Sequence, residues 1–322
     1  MNKKVMSLVI ILAVAVLGFV GYRNVFGAKQ VIVDSSAQGS KISEYAHPES
    51  FITPLQLKDL MDNDKDVVVI GALNPKKGDS PISGSFTMWR SAYSAKEGDY
   101  PFGGMRNTNE EMEALLSGFG ATPDSTIVVY AANSHHDAAR LWWQIKLLGH
   151  EDVRYLDGGL NAWLGAEYPV GDANPTVEAT SYKAPNASNE SLATMEDVIA
   201  ALENGTVIDT RTTDEETGAS TKGGAFGPGK IGDSLFIEWK KAVGEDTTLL
   251  SLAELKALYG DIEDKDVIAY CQSGVRSAHT YLVLTQALGY ENVKNYDGSW
   301  IEWSHEYYEN GNKELPTLNA EK

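Results

Sequence analysis

The sequence predicts an α/β fold made of two similar domains, each a mainly parallel sheet flanked by helices on both faces. The first observation is an internal repeat, because Tyr130 and Tyr270 lie 140 positions apart and Trp163 and Trp303 keep the same spacing. No insertion breaks the register between these pairs, which indicates a duplicated domain. The second observation is that short apolar strands alternate with helices in each copy, as in parallel sheets that are covered on both faces. The 322 residues also suffice for two domains of ordinary size.

Each copy contributes the same order of elements. The first copy opens with a helix after the start signal Thr53-Pro54. Its predicted helices are 55–61, 110–116 and 138–148, and its predicted strands are 66–70, 127–130 and 153–156. The corresponding helices of the second copy are 194–202, 252–259 and 278–288, and its strands are 207–209, 267–270 and 293–296. We therefore expect domains at 50–170 and 192–315, joined by a linker at 171–191 that is rich in Asn, Ala, Ser and Pro.

Residues 1–28 have the pattern of a targeting segment. Lys3 and Lys4 precede an unbroken stretch of apolar or small residues at 5–20. We interpret the segment as a cleaved signal peptide or a retained N-terminal membrane anchor, with its basic end left in the cytoplasm. The rest of the chain is then expected to be exported to the periplasm or cell envelope, either released or anchored in the inner membrane. Residues 29–49 are expected to form a polar spacer.

The composition excludes several classes of function. The net charge is −18, and no Lys/Arg-rich run follows the N-terminus, which argues against nucleic-acid binding. The single cysteine excludes an internal disulfide framework and a Cys-based metal cluster. Adjacent His135 and His136 could suggest a metal ligand pair, but neighbouring histidines on a loop do not make a tetrahedral site. We expect a solvated loop there, and no metal.

Cys271 is the candidate nucleophile. It follows the strand 267–270 and precedes the loop Gln272-Ser273-Gly274, with a helix behind. Ligands of parallel sheets bind at the carboxyl ends of strands. Backbone N–H groups of such a loop, together with the positive end of a helix, favour thiolate over thiol. The alternative is a small buried core residue, which is common for free cysteine.

The first copy lacks this nucleophile. At the repeat offset, Ala131 stands where the second copy has Cys271, and His136 stands where it has Arg276. We therefore expect the first domain to support, shape or cover the site of the second.

These motifs are similar to those of rhodaneses. The loop from Cys271 to Ser277 resembles their active-site loop, and Val207-Ile208-Asp209-Thr210-Arg211 resembles their early strand signature. Tyr296-Asp297-Gly298-Ser299-Trp300 resembles the segment that closes their domain, and 156–163 resembles the same segment of an inactive first domain. The chain thus resembles an exported member of the tandem-domain rhodanese family (thiosulfate/3-mercaptopyruvate sulfurtransferases). The resemblance implies a catalytically silent first domain and a catalytic second one.

A sulfur-transfer reaction would need no metal or organic cofactor. The Cys271 thiolate would attack the outer sulfur of a small anionic donor such as thiosulfate or 3-mercaptopyruvate, and a thiol or cyanide would accept the sulfur from the resulting persulfide. Backbone N–H groups of the loop would hold the negative charge of the added sulfur. The residues expected to form this anion cradle are Gln272, Ser273, Gly274, Val275, Arg276 and Ser277.

Four supporting residues have two interpretations each. Arg276 either binds the anionic end of the donor or braces the loop against an acidic neighbour such as Asp209. Asp209 and Arg211 either hold the scaffold or touch the substrate. Trp300 either lines the mouth of the pocket or packs in the core.

The chain departs from the family pattern at two places. Residues 227–234 lack the His and the internal Pro of the Gly-His-Ile-Pro-Gly-like turn that rhodaneses usually carry, and the donor-binding Arg that tandem members often place upstream is absent. Lys222 or Lys230 would replace that Arg as a point charge, or both are solvated surface lysines.

Three other functions compete with sulfur transfer. A cysteine-dependent phosphatase has five residues between its Cys and Arg, whereas four intervene here, so a single sulfur fits the loop better than a phosphate. An exported persulfide carrier or sulfur-binding protein would hold sulfur with little turnover. An inert interaction module would have no reactive thiol.

Overall fold

The computed structural model describes residues 33–64, 66–133, 135–262 and 265–320. The predicted signal or anchor at 1–28 lies outside these residues. Within the described ranges, no helix combines the length and apolarity needed to cross a membrane.

The first domain is built on a five-stranded, fully parallel sheet with the strand order β1-β5-β4-β2-β3. Its strands are β1 (Phe51–Ile52), β2 (Val67–Ala72), β3 (Phe86–Met88), β4 (Thr126–Tyr130) and β5 (Val153–Leu156). The helices of this part of the chain are α1 (Ser35–Ile42), α2 (Pro54–Asn63), α3 (Asn109–Gly118), α4 (His135–Leu147) and α5 (Gly159–Gly165).

The second domain repeats this sheet with the order β6-β11-β10-β7-β9, again fully parallel. Its strands are β6 (Leu192–Ala193), β7 (Thr206–Asp209), β9 (Leu235–Phe236), β10 (Val267–Tyr270) and β11 (Val293–Tyr296). An antiparallel pair is added by β8 (Lys230–Ile231) and β12 (Thr317–Leu318). The helices are α6 (Met195–Asn204), α7 (Thr213–Glu216), α8 (Leu252–Tyr259), α9 (Val275–Leu282) and α10 (Ser299–Ser304). A π-helical turn, Val283–Ala287, extends α9. The predicted α/β class and the parallel sheets are confirmed.

Local sequence signals explain where several helices start. The Thr53 side chain accepts a hydrogen bond from the Gln56 N–H, the Gln56 side chain accepts one from the Thr53 N–H, and Pro54 occupies the first helical position. The same reciprocal cap, formed by Thr194 and Asp197, begins α6. Such caps satisfy N–H groups that the first helical turn leaves unpaired.

The two domains share one continuous apolar core. Helices α4 and α9 pack against each other across the domain boundary. A single cluster of buried side chains includes Trp142 and Trp143 from α4 together with Leu282 and Val283 from the second domain. Because this interface is formed by the helices that follow β4 and β10, it also brings the carboxyl edges of the two sheets together.

The expectation of a polar spacer at 29–49 is wrong for the part that forms α1. Within that helix, Gln38 Nε2 donates to the Asp157 carbonyl at 2.9 Å, and Lys41 Nζ lies 3.1 Å from Asp157 Oδ2 and 2.5 Å from the Leu249 carbonyl. The helix therefore ties the first domain to the second. Residues 171–191, all of them described, form neither helix nor strand.

Candidate functional site

Cys271 lies at the carboxyl end of β10, the middle strand of the second sheet. Its side chain is 1% exposed. The chain turns at Gly274, which has φ 70° and is the N-cap residue immediately before α9. A Cβ at this position would lie 2.7 Å from Arg140 Nη1 and 2.9 Å from the Asp297 carbonyl oxygen. Glycine is therefore required both by the left-handed backbone and by the close packing.

The loop surrounds the sulfur with hydrogen-bond donors. The Arg276 N–H lies 3.2 Å from Cys271 Sγ, and Ser277 Oγ lies 3.6 Å from it. Burial raises the pKa of the thiol, but the Arg276 charge and hydrogen bonds from the Ser273 and Ser277 N–H groups and the Ser277 hydroxyl lower it. The net result is a pKa below the usual value, so the site favours thiolate.

Ser299 holds this loop from behind. Its Oγ accepts hydrogen bonds from the N–H of Cys271 at 3.1 Å and of Gly274 at 2.9 Å, and donates to the Tyr296 carbonyl at 2.6 Å. Ser299 has φ 51°, a conformation that L residues rarely adopt. The first copy has Gly159, with φ 53°, at the equivalent position. The copy that carries Cys271 thus has a strained serine, whose hydroxyl binds the loop, in place of an unstrained glycine.

Arg276 braces the loop, and its partner is Glu215. The guanidinium makes a bidentate ion pair with the Glu215 carboxylate at 2.7 and 2.8 Å. Burial raises the pKa of Glu215, but Arg276 and hydrogen bonds from Thr212 outweigh burial and lower it to about 2. Asp209, which the sequence suggested as an acidic neighbour of Arg276, is paired with a different cation.

Asp209 and Arg211 form part of the scaffold. Arg211 Nη2 lies 2.6 Å from Asp209 Oδ2, and the same nitrogen donates to the Gly229 carbonyl at 2.8 Å. Tyr270 Oη donates to Asp209 Oδ2 at 2.8 Å. Trp300 is buried, with the Arg211 guanidinium 4.9 Å from its ring centre. The side chains of Asp209, Arg211 and Trp300 are all buried in the core. This burial agrees with a scaffold role for Asp209 and Arg211 and with core packing of Trp300.

The two lysines have different environments. Lys230 Nζ binds Glu216 Oε1 at 2.8 Å and the Ser234 carbonyl at 3.2 Å. Lys222 is exposed, beside Gly223, whose carbonyl lies 3.5 Å from Gln272 Nε2. Lys230 is therefore held in an ion pair. Lys222 is the residue before Gly223, which contacts the Cys271 loop.

The first domain reaches into this site through Arg140. This side chain is buried, lies 2.5 Å from Asp297 Oδ1 and donates to the Gly274 carbonyl at 3.3 Å. Arg140, Glu215 and Ser299 were not selected as site residues from the sequence. The signal for Arg140 was a charged residue inside the apolar run 138–143, where a charge must find a buried partner.

The expectation of a solvated loop at His135 and His136 is wrong. His135 begins α4 and is buried, with Nδ1 3.1 Å from Tyr155 Oη. The His136 ring packs edge-on against Trp239 of the second domain at 4.6 Å. Burial lowers the pKa of His135 to about 4 and that of His136 well below its usual value. Both imidazoles are therefore neutral at pH 7 and belong to the domain interface. In the parts of the chain that the structure covers, no group of three or more His, Cys, Asp or Glu side chains could hold a metal ion.

Comparison with known families finds the same domain in both halves of the chain. The rhodanese-like domain family matches the chain twice, at residues 53–166 and 194–306. A protein of Saccharopolyspora erythraea named "Putative thiosulfate sulfurtransferase" is 39% identical over 203 residues, which cover 60% of this chain and 72% of that protein. The "Sulfur carrier protein TtuD" of Thermus thermophilus is 35% identical over 212 residues, covering 62% of this chain and 74% of its own length.

Solved structures support the fold. Wild-type EanB superposes with a TM-score of 0.73 at 21% identity and covers 86% of this chain and 70% of its own. YnjE superposes with a TM-score of 0.72 at 24% identity, again over 86% of this chain, and over 70% of YnjE. Both halves of the chain match the same family, and the two matched segments form sheets of the same topology. The chain belongs to the tandem-domain rhodanese family of sulfurtransferases.

Proposed function

We propose that the chain transfers a sulfane sulfur from a small anionic donor to a thiophilic acceptor through a persulfide on Cys271. The observation that carries the proposal is the arrangement of N–H and hydroxyl donors around one buried sulfur whose pKa is lowered. Such donors stabilise both the attacking thiolate and the charged terminal sulfur of a persulfide. The names of the relatives, a thiosulfate sulfurtransferase and a sulfur carrier, support the same chemistry.

The reaction has two displacement steps. The Cys271 thiolate attacks the outer sulfur of thiosulfate, the S–S bond of the donor breaks, and sulfite leaves with the electron pair. With 3-mercaptopyruvate the C–S bond breaks instead, and the pyruvate enolate that leaves takes up a proton. An acceptor thiolate or cyanide then attacks the outer sulfur of the persulfide, which returns Cys271 as a thiolate.

Side-by-side assays with both donors test the proposal. We expect thiocyanate to form from cyanide with at least one of thiosulfate and 3-mercaptopyruvate, and we expect the Cys271→Ala variant to form none. Equal activity of both proteins would overturn the proposal. Turnover of an aryl phosphate that depends on Cys271 would favour the phosphatase alternative.

A persulfide carrier is the second candidate, and the carrier name of the Thermus relative favours it. This function predicts one added sulfur atom on Cys271 after incubation with donor, visible in the intact mass, but little thiocyanate under multiple-turnover conditions. An inert interaction module predicts neither the added sulfur nor turnover.

We also propose that residues 1–28 direct export to the periplasm or cell envelope, as a cleaved signal or a membrane anchor. The basic start at Lys3 and Lys4 and the apolar stretch 5–20 support this. Fractionation of cells expressing the full chain would test it, since recovery of the protein solely in the cytoplasm contradicts export.

A further inference from the structure

Arg90 of the first domain has a guanidinium group that is hydrogen-bonded on one side and exposed to solvent on the other. It follows β3, at the carboxyl edge of the first sheet. Its Nε donates to Asp137 Oδ1 at 2.6 Å, and its Nη2 lies 3.2 Å from His136 Nε2. The side chain is nevertheless 41% exposed. In the part of the chain that the structure describes, Nη1 of Arg90 makes no hydrogen bond.

The position of Arg90 faces the second domain. Its neighbour His136 packs against Trp239, which comes from the domain that carries Cys271. Burial lowers the pKa of Arg90, but Asp137, Tyr93 and the Cys271 thiolate raise it above its usual value. The geometry places Arg90 beside the Cys271 loop: it contacts His136 at the start of α4, and Arg140, one turn further along that helix, donates to the Gly274 carbonyl of the loop at 3.3 Å.

Four other cations of this region are already held in ion pairs, each with a side chain at most 14% exposed. They are Arg276 with Glu215, Arg211 with Asp209, Arg140 with Asp297 and Lys230 with Glu216. A donor anion that approaches this acidic protein still needs a local positive charge. Arg90 offers one that is fixed by Asp137 and open to solvent.

We propose that Arg90 binds the anionic group of the sulfur donor, so that the silent domain supplies donor recognition for the catalytic one. The inference rests on the proposed sulfur transfer and names the residue that selects anionic donors. A guanidinium suits a sulfonate or a carboxylate because its N–H groups make charge-assisted hydrogen bonds to anionic oxygens and it keeps its positive charge at neutral pH. Asp137 orients the side chain by binding Nε, which leaves Nη1 for the donor.

Charge-selective alkylation of Cys271 tests this without any sulfur transfer. Iodoacetate and iodoacetamide differ mainly in charge, so the ratio of their rates reports the field that an anion meets at the thiolate. We expect Arg90→Gln to lower the iodoacetate-to-iodoacetamide ratio about tenfold, and Arg90→Lys to restore part of it. Arg154→Gln is the matched control, because Arg154 is also paired with an aspartate in the first domain but lies near the start of its strand. We expect it to leave the ratio unchanged.

Two results would overturn the proposal. One is an unchanged ratio in Arg90→Gln, including the case in which both reagents speed up or slow down together because the site has loosened. The other is a fall in the ratio for Lys222→Gln but not for Arg90→Gln. If sulfur transfer fails while the ratio falls as expected, anion recognition stands and the proposed function alone is rejected.

A binding measurement tests the proposal even if the alkylation of Cys271 is too slow for its rate to be measured. The Cys271→Ala protein cannot react with thiosulfate, so calorimetric titration measures binding alone. We expect the double variant Cys271→Ala/Arg90→Gln to bind thiosulfate about tenfold more weakly than Cys271→Ala. Equal affinities of the two proteins would refute the role of Arg90.

Discussion

Ser299 Oγ accepts a hydrogen bond from the backbone N–H of Cys271 at 3.1 Å, so a strained residue from the end of the domain positions the sulfur-bearing residue. The same hydroxyl binds the N–H of Gly274. The first copy has glycine at this position and alanine in place of the cysteine. The hydroxyl is therefore found in the copy that has a thiol to position.

Two substitutions of Ser299 distinguish the effect of its hydrogen bonds from the effect of its strained backbone. Ser299→Ala leaves two buried N–H groups unpaired, at about 1–3 kcal/mol each, and keeps the unfavourable φ. Ser299→Gly loses the same bonds but relieves about 1 kcal/mol of strain. We expect both variants to form persulfide more slowly, and the glycine variant to be the more stable in urea unfolding. Wild-type rates in both would show that the hydroxyl does not position the loop.

Glu215→Gln should destabilise the protein, because it leaves the Arg276 guanidinium without its buried counter-charge. Breaking such a pair costs about 3–5 kcal/mol. Glu216→Gln is the matched control, since Glu216 lies on the same helix but pairs with Lys230. Urea unfolding at pH 7 would show the difference, and an equally small effect of both substitutions would contradict the structural role of the Arg276 pair.

The same pair predicts how stability depends on pH. The folded-state pKa of Glu215, about 2, lies below the ordinary value of 4.5. A lowered carboxyl pKa stabilises the fold above pH 4.5, and this contribution is lost as the pH falls from 4.5 towards 2. We expect the stability difference between wild type and Glu215→Gln to shrink in that window. A constant difference down to pH 2 would contradict the assignment.

Ser277→Ala should raise the pKa of the Cys271 thiol, because the Ser277 hydroxyl is one of the donors that favour thiolate. Loss of a hydrogen bond to the charged sulfur should move thiolate formation to higher pH. The pH dependence of iodoacetamide alkylation measures it, with Thr285→Ala as a control whose hydroxyl binds the Tyr281 carbonyl instead. An unshifted profile would mean that the Arg276 charge and the backbone donors lower the pKa without help from the hydroxyl.

Arg140 and Asp297 should be strongly coupled across the domain interface. Each single substitution, Arg140→Met or Asp297→Asn, leaves a buried group without its partner and should cost about 3–5 kcal/mol. We expect the double variant to lose at least about 2 kcal/mol less than the sum of the two single losses. Additive losses in a double-mutant cycle would mean that the two side chains do not stabilise each other.

The sequence alone was sufficient for elements whose signal is local. The strands 153–156, 267–270 and 293–296 and the helix 252–259 coincide with the observed bounds, because each is an apolar or amphipathic run between clear stop signals. The edge strands β1, β3, β6 and β9 have two or three residues each, too few to show a period. Helix α1 is mostly polar, and its contacts to both domains are what give it a place in the fold.

The candidate site also combines features with a local sequence signal and features that depend on tertiary contacts. The repeat, the thiol and its backbone donors were readable from the sequence because Cys271 and the N–H groups that face it lie within six residues of one another. The partners of the loop come from distant parts of the chain: Glu215 is 61 residues from Arg276, and Arg140 is 134 residues from Gly274. Contacts over such separations leave no periodic trace in a single sequence. The tertiary structure alone decided them, because the folding of the second domain places α7 beside the start of α9, and the packing of α4 on α9 brings Arg140 from the other domain to the same loop.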